Sequence, residues 1–471
     1  FLSIIVLVIT LIGARGRVSQ KSPIRVGTAF FSNYAFINQL GLNPAFTFIR
    51  SYLDNQKPEN QSLTLMDNEK AIKNVQEYFN IPKTSQYQSP IARKIIPNGK
   101  SLDANIIIVI MESLSANKMT RYDNPHNLTP TLDSLSHNSY YFDNIYTAGI
   151  HTFNGIYSTL FSFPALLKHH PMHTTNIPYF TGIASTLEEH QYQTMYFTTH
   201  DGQFDNVEGF LKSNSYQQVI SQKDYPSEKI LSTLGVPDHY MFEFSIPYLN
   251  KFSENKKPFF AAYMTASDHT PHVIPDGISF TPHNKTLDLQ ITEYADWSIK
   301  HFLDIASQQE WFHNTIFVFV ADHGAVIGKN FYDMPLSYHH TPLIIYSPLL
   351  SPKTFDCIGG QIDVFPTIMG LLNKEYVNNT MGIDLLKEKR PYIYFSADDK
   401  IGCLNKDFFY VWRENGEESL YKYNNGDVKN YFQDNSSLAD SMKTYSFSML
   451  QTTQWLITNK KTGKEKKISE K

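Results

Sequence analysis

Asn105-Ile106-Ile107-Ile108-Val109-Ile110-Met111-Glu112-Ser113 sets five consecutive β-branched residues against one terminal carboxylate. An unbroken run of this kind is the pattern of a strand buried on both faces, as in parallel sheets covered by helices. A charge placed where such a strand ends needs a partner. Residues 315–324 repeat the arrangement: an apolar run closes on Asp322 and His323, and Gly324 permits a sharp exit turn. If the two strands are parallel, Glu112, Asp322 and His323 share one edge of the sheet. Two carboxylates and an imidazole there suit a hard or borderline divalent cation.

Outward from these two strands, apolar runs recur at 193–198, 258–264, 342–347 and 391–395, with helical candidates at 129–138, 182–191, 286–308 and 362–372. The alternation predicts an α/β fold, a mostly parallel central sheet with helices on both faces, whose ligands collect at the carboxyl ends of the strands. After residue 395 the grain changes. The runs 406–412 and 419–423 predict an antiparallel hairpin and 436–457 a terminal helix, together a small C-terminal α+β lobe.

The chain has 471 residues, and 41% hydrophobic with 14% aromatic content supplies core for one large domain with appendages. A net charge of −4 from nearly balanced acids and bases offers no field for nucleic acid. Cys357 and Cys403 are too few for a disulfide framework or a paired-cysteine metal site. Phe1 to Gly13 is apolar, but as a helix it spans roughly 20 Å against a hydrocarbon core of about 30 Å. It reads as the end of a transmembrane helix, with a signal-peptide core or a buried strand as alternatives.

A third stretch, 147–160, brackets His151 and Thr152 between Gly149 and Gly155. The pattern suits a turn into a helix N-terminus, where a hydroxyl among backbone N–H groups would meet an anionic phosphoryl group. On its own Thr152 also reads as an ordinary cap.

Met111-Glu112-Ser113-Leu114-Ser115-Ala116, Leu128-Thr129-Pro130-Thr131-Leu132-Asp133-Ser134-Leu135, Gly149-Ile150-His151-Thr152 and Ala321-Asp322-His323-Gly324 follow one another in an order that resembles a known family. It is the lipoteichoic acid synthase and phosphoglycerol transferase branch of the sulfatase-like alkaline phosphatase superfamily. Ser267-Asp268-His269-Thr270-Pro271-His272, His339-His340-Thr341-Pro342 and Gln361-Ile362-Asp363-Val364-Phe365-Pro366-Thr367 extend the resemblance, which covers about residues 100 to 390. It implies that Glu112, Thr152, Asp322 and His323 bind a catalytic metal, Mn2+ in this branch with Mg2+ or Zn2+ as alternatives, and that Thr152 is the nucleophile. His269 would contact the phosphoryl group and serve as an acid. His200 and Asp201 would fall in the head-group region, and His340, with His339, would line the metal pocket or a weak second site. The implied donor is a phosphatidylglycerol-type lipid and the implied acceptor a glycan or polyglycerolphosphate.

The resulting plan is a transmembrane or signal segment at 1–18, a linker arm with short helices (35–52 and 67–79) at 19–100, and a metal-dependent catalytic domain at 101–395. A hairpin-plus-helix subdomain at 396–458 and a basic tail at 459–471 complete it. The resemblance implies membrane attachment with the catalytic domain outside the cytoplasm, in the periplasm or at the cell surface. His169, His170 and His173, with no partner carboxylate motif, read as loop residues. Alternatives from the same superfamily are a sulfatase, a phosphodiesterase and a phosphoethanolamine transferase. A sulfatase would need a C/S-x-P-x-R signature, and Ser162-Phe163-Pro164-Ala165-Leu166 lacks the arginine. An inactive membrane-anchored sensor or scaffold has no reason to keep the four convergent groups.

Overall fold

Asn105 to Met111 forms a strand in which every residue is buried, as the β-branched run requires. The fold was obtained as a computed structural model, which describes residues 2–15, 37, 40–55, 63–82, 87–167, 170–173 and 177–464. Its strands, in chain order, are β1 (Arg93–Ile95), β2 (Asn105–Met111), β3 (Tyr140–Tyr146), β4 (Gln193–Thr198), β5 (Gln218–Ile220), β6 (Phe259–Met264) and β7 (Thr315–Ala321). There follow β8 (His340–Tyr346), β9 (Lys353–Gly360), β10 (Tyr376–Asn378), β11 (Ile393–Ala397), β12 (Lys400–Leu404), β13 (Phe409–Arg413) and β14 (Glu418–Tyr421).

Eight of them make the central sheet, in the order β5-β4-β6-β2-β7-β8-β3-β9. All neighbours are parallel except at β8, which runs antiparallel to both β7 and β3. The register puts Met111 opposite Ala321, so the following residues, Glu112 and Asp322, leave the sheet side by side. On the other flank Ile110 pairs with Met264, the end of the strand that leads to His269. Because β8 is reversed, its first residue, His340, lies at this same edge.

Strand β2 divides the core in two. Ile106, Ile108 and Ile110 pack with residues of the helices Thr152–Phe161, Ile183–Glu189, Val364–Leu372 and Ser436–Thr458. Ile107, Val109 and Met111 pack on the opposite face with residues of Asp238–Glu254 and Leu287–Ala306. Helices on both faces therefore bury the sheet completely at its centre, which is the α/β architecture the alternation predicts.

The run 391–395 differs from its expected place. It belongs to β11, the first strand of a separate four-stranded antiparallel sheet ordered β11-β12-β13-β14. The two residues between Ala397 and its partner Lys400 explain the reversal: Asp398 adopts φ 42°, and a tight turn folds the chain straight back. The predicted hairpin is β13 with β14, whose turn carries Gly416 at φ 89°.

Segment 63–82 packs against the body. The helix Asn68–Tyr78, capped by Asp67, buries Ala71 and Val75, and Asn74 Nδ2 donates to Ser448 Oγ of the terminal helix at 2.9 Å. The expected helix at 35–52 falls partly outside the described residues, within which a helix runs Pro44–Asn55. At the other terminus Thr462 is buried and donates to the Tyr179 carbonyl at 2.8 Å, while 465–471 lie outside the described residues. The helix Leu2–Arg15 exposes Leu2, Ile4 to Ile9 and Ile12, and among the described residues no helix is long and apolar enough to cross a membrane.

Candidate active site

Glu112, Asp322 and His323 form one buried cluster whose potential ligand atoms all lie within 4.8 Å of one another. His323 Nε2 stands 3.4 Å from Asp322 Oδ2 and 3.8 Å from Glu112 Oε1. The other ring nitrogen, Nδ1, lies 2.8 Å from the Gly324 carbonyl, which can only accept. The proton of a neutral ring is thereby held on Nδ1, and the Nε2 lone pair faces the carboxylates.

Asp322 Oδ1 accepts from the backbone N–H groups of Ser113 and His323, at 2.9 and 2.7 Å, whereas Oδ2 is buried with no hydrogen-bond donor. Glu112 Oε1 accepts from Ser113 Oγ at 2.8 Å. Burial, then the neighbouring Asp322 charge, push the Glu112 carboxyl well above the usual carboxylate range. A divalent cation would remove both penalties, and the donor set of two carboxylates and one imidazole fits Mn2+, Zn2+ or Mg2+.

Thr152 opens the helix Thr152–Phe161, and the first turn of that helix rests directly on Asp322. A Cβ at Gly155 would lie 2.4 Å from Asp322 Cα, so only glycine permits this approach. Thr152 stands three residues before Gly155, at the end of the helix that meets this strand. Gln361, fully buried, holds the arrangement from below. Its Nε2 donates to the carbonyls of Ala321 and Asp322, both at 2.7 Å, and its Oε1 accepts from Ala148 N at 2.8 Å.

Around this centre the remaining predicted residues are distributed unevenly. His269 is exposed above the end of β6, with Nδ1 2.6 Å from the Thr270 carbonyl, so Nε2 is left to solvent. His200 follows β4, and burial lowers its pKa; its Nδ1 lies 3.2 Å from the Asp201 carbonyl. The Asp201 carboxylate accepts from Gln203 N at 3.1 Å. His340 Nε2 lies 2.8 Å from the Asp143 carbonyl, and its ring packs between Tyr122 and Tyr146. His339 is buried against Phe395, 4.1 Å between ring centroids, and burial pushes it down to about 3.

Two contributors escaped the sequence reading. Gln361 was visible only as part of a motif, and nothing in its neighbours tells that its amide turns to the strand ends. Lys118, five residues past the opening stretch, is buried and pairs with Asp268 at 2.6 Å, while Thr292 Oγ1 donates to the same carboxylate at 3.0 Å. These bonds fix the turn that presents His269.

The chain is similar in sequence and fold to known proteins. Lipoteichoic acid synthase-like YvgJ of Bacillus subtilis (strain 168) is 25% identical over 355 residues, 68% of this chain and 54% of that protein. The chain spans about half the length of the curated relatives it matches. A solved protein of the alkaline phosphatase superfamily from Vibrio parahaemolyticus superposes with a TM-score of 0.76 at 24% identity, covering 84% of this chain and 98% of that one. The lipoteichoic acid synthase LtaP from Listeria monocytogenes superposes with a TM-score of 0.61 at 19% identity, covering 82% and 98%. The family model described as Sulfatase matches residues 104–374, more than half of the sequence and the whole span from Glu112 to His323, and the chain belongs to that family.

Proposed function

We propose that the chain is a metal-dependent phosphoglycerol transferase. It moves a glycerophosphate group from a phosphatidylglycerol-type lipid to an acceptor hydroxyl through a covalent intermediate on Thr152. The observation that carries this reading is the buried Glu112, Asp322 and His323 cluster with the start of the Thr152 helix pressed against Asp322. The lipoteichoic acid synthase names of its relatives support the same substrate class.

Glu112, Asp322, His323 and the Thr152 hydroxyl would hold the cation. When bound, it would supply Lewis-acid stabilisation of the phosphoryl oxygens and favour the ionised hydroxyl. The Thr152 Oγ–P bond forms as the P–O bond to diacylglycerol breaks. His269, through Nε2, donates the proton that the leaving oxygen needs. An acceptor hydroxyl then attacks phosphorus, gives its proton to His269, and displaces Thr152 Oγ. The acceptor is a glycan or polyglycerolphosphate, with His200 and Asp201 beside the head group. Work at an extracytoplasmic membrane face fits both substrates.

A sulfatase reading fares worse on position as well as on sequence. Ser162 lies past the far end of the helix Thr152–Phe161, roughly 15 Å along the axis from Thr152, and caps it at φ 57°. The deciding experiment incubates the purified chain with Mn2+ and phosphatidylglycerol, then follows diacylglycerol release and the mass of the peptide containing Thr152. Release with a glycerophosphate adduct on Thr152 is the expected result. No release by the parent, or release undiminished in Thr152→Ala, would sink the proposal.

A further inference from the structure

His170 and His173, which the sequence leaves as loop residues for want of a carboxylate, meet one through the tertiary fold. Their Nε2 atoms lie 3.6 and 3.4 Å from the same oxygen, Asp205 Oδ1, and a potential ligand atom of each residue lies within 4.8 Å of the others. Among the described residues this is the other His and carboxylate group of metal-binding geometry besides the Glu112 cluster.

The distances discriminate between two uses of such a group. Charge-assisted N–H···O bonds close to about 2.7–2.9 Å, well inside what is seen here. Two ligands that each stand about 2.0–2.2 Å from a tetrahedral ion are roughly 3.4 Å apart, which matches both separations. The two imidazole rings are stacked, 3.6 Å between centroids and 6° between planes. Among the described residues, both ring nitrogens of His170 are moreover buried with no partner closer than the 3.6 Å to Asp205. A buried polar atom left so is costly unless a ligand reaches it.

The frame is built. Asn206 Nδ2 donates to the Met172 carbonyl at 2.6 Å, joining the turn that carries Asp205 to the segment that carries both histidines. Asp205 adopts φ 51°, and Phe153 stacks on His170 at 3.7 Å, next in sequence to Thr152. His173 is exposed, leaving solvent access on its side.

We propose that His170, His173 and Asp205 form a second divalent-cation site, distinct from the Glu112 cluster, that takes a borderline ion of the zinc class and keeps one position open to water. Two imidazoles with one carboxylate are the donors such an ion prefers. The ion ties segment 170–173 to the turn at 204–206, and through Phe153 it braces the start of the helix bearing Thr152.

The test uses the tag-free chain, stripped with chelator, equilibrated with Zn2+ and assayed by elemental analysis. The parent is expected to hold two equivalents, Glu112→Ala one, His173→Ala one, and the double variant none. Co2+ in Glu112→Ala should give visible absorption bands that Asp205→Asn abolishes. If His173→Ala and Asp205→Asn both keep the parent's stoichiometry, the second site does not exist. That result would leave the catalytic reading untouched, because the transferase proposal depends on the equivalent lost with Glu112.

Discussion

Asp322 carries the most demanding position in the molecule. Fully buried, it has one carboxylate oxygen saturated by backbone N–H groups and the other facing Glu112 and His323 with no donor. Replacing Glu112 by Ala should abolish Mn2+ binding and lipid turnover together. In chelator that variant should melt no earlier than the chelated parent, because a like charge has been removed from a buried pair. Retention of full activity would refute the assignment. Thr152→Ala should keep the metal on the three remaining ligands yet lose about 10³-fold or more in kcat, which separates the nucleophile from Glu112, Asp322 and His323 in a metal-binding and turnover assay. His339 gives a pH prediction. Its folded pKa, near 3, lies below the unfolded value of about 6.5, so the unfolded chain takes up the proton first as pH falls. Its contribution is whole above pH 7 and is lost progressively below about 6.5, by about 2 kcal/mol at pH 5. Urea denaturation at pH 7.5 and 5 should show a smaller difference in His339→Phe than in the parent.

At the scale of elements, the site depends on one helix start lying against one strand end. Gly155→Ala places a methyl where the Asp322 backbone stands, and backbone cannot step aside. Activity should fall sharply with far-UV dichroism unchanged. Gln361→Ala leaves the Ala148 N–H and two strand-end carbonyls unpaired, a loss of about 2–4 kcal/mol in denaturant titration with turnover reduced alongside. Strands β2 and β7 were legible because each is an unbroken apolar run with an abrupt charged end. Strand β3 was not, since Asp143 and Asn144 interrupt it where its register slips against both neighbours. Strand β9 is an edge strand with an exposed first half, and its sequence therefore lacks the continuous apolar signal. Pro342 suggested a strand start, yet β8 begins two residues earlier, at the histidine that faces the site edge. The cluster of Glu112, Asp322 and His323 could be read because each of its residues follows directly on a strand end. The triad of His170, His173 and Asp205 could not, because a contact between two loops carries no sequence period.

At the scale of the whole molecule, a buried ion pair joins the segment after β9 to the residues that precede β11 and to the terminal helix. Arg390 Nε donates to Asp363 Oδ2 at 2.8 Å just after β9, its Nη2 reaches the Met381 carbonyl at 2.6 Å, and its Nη1 reaches Tyr445 Oη of the terminal helix at 3.1 Å. Arg390→Met would strand a buried carboxylate, costing about 3–5 kcal/mol, and calorimetry should register the loss. The reversed direction of β8 reaches further. Parallel neighbours must be joined by a crossover that travels the length of the body, but β7 and β8 are joined without leaving the edge where Glu112, Asp322 and His323 lie. Both feet of the connection stand there, tied by Gly324 N to the Tyr338 carbonyl at 2.8 Å, and Val326 and Phe331 project from it into solvent. This stretch can thus lengthen, shorten or change its chemistry while the eight strands keep their register, beside the strand ends that carry Glu112 and Asp322.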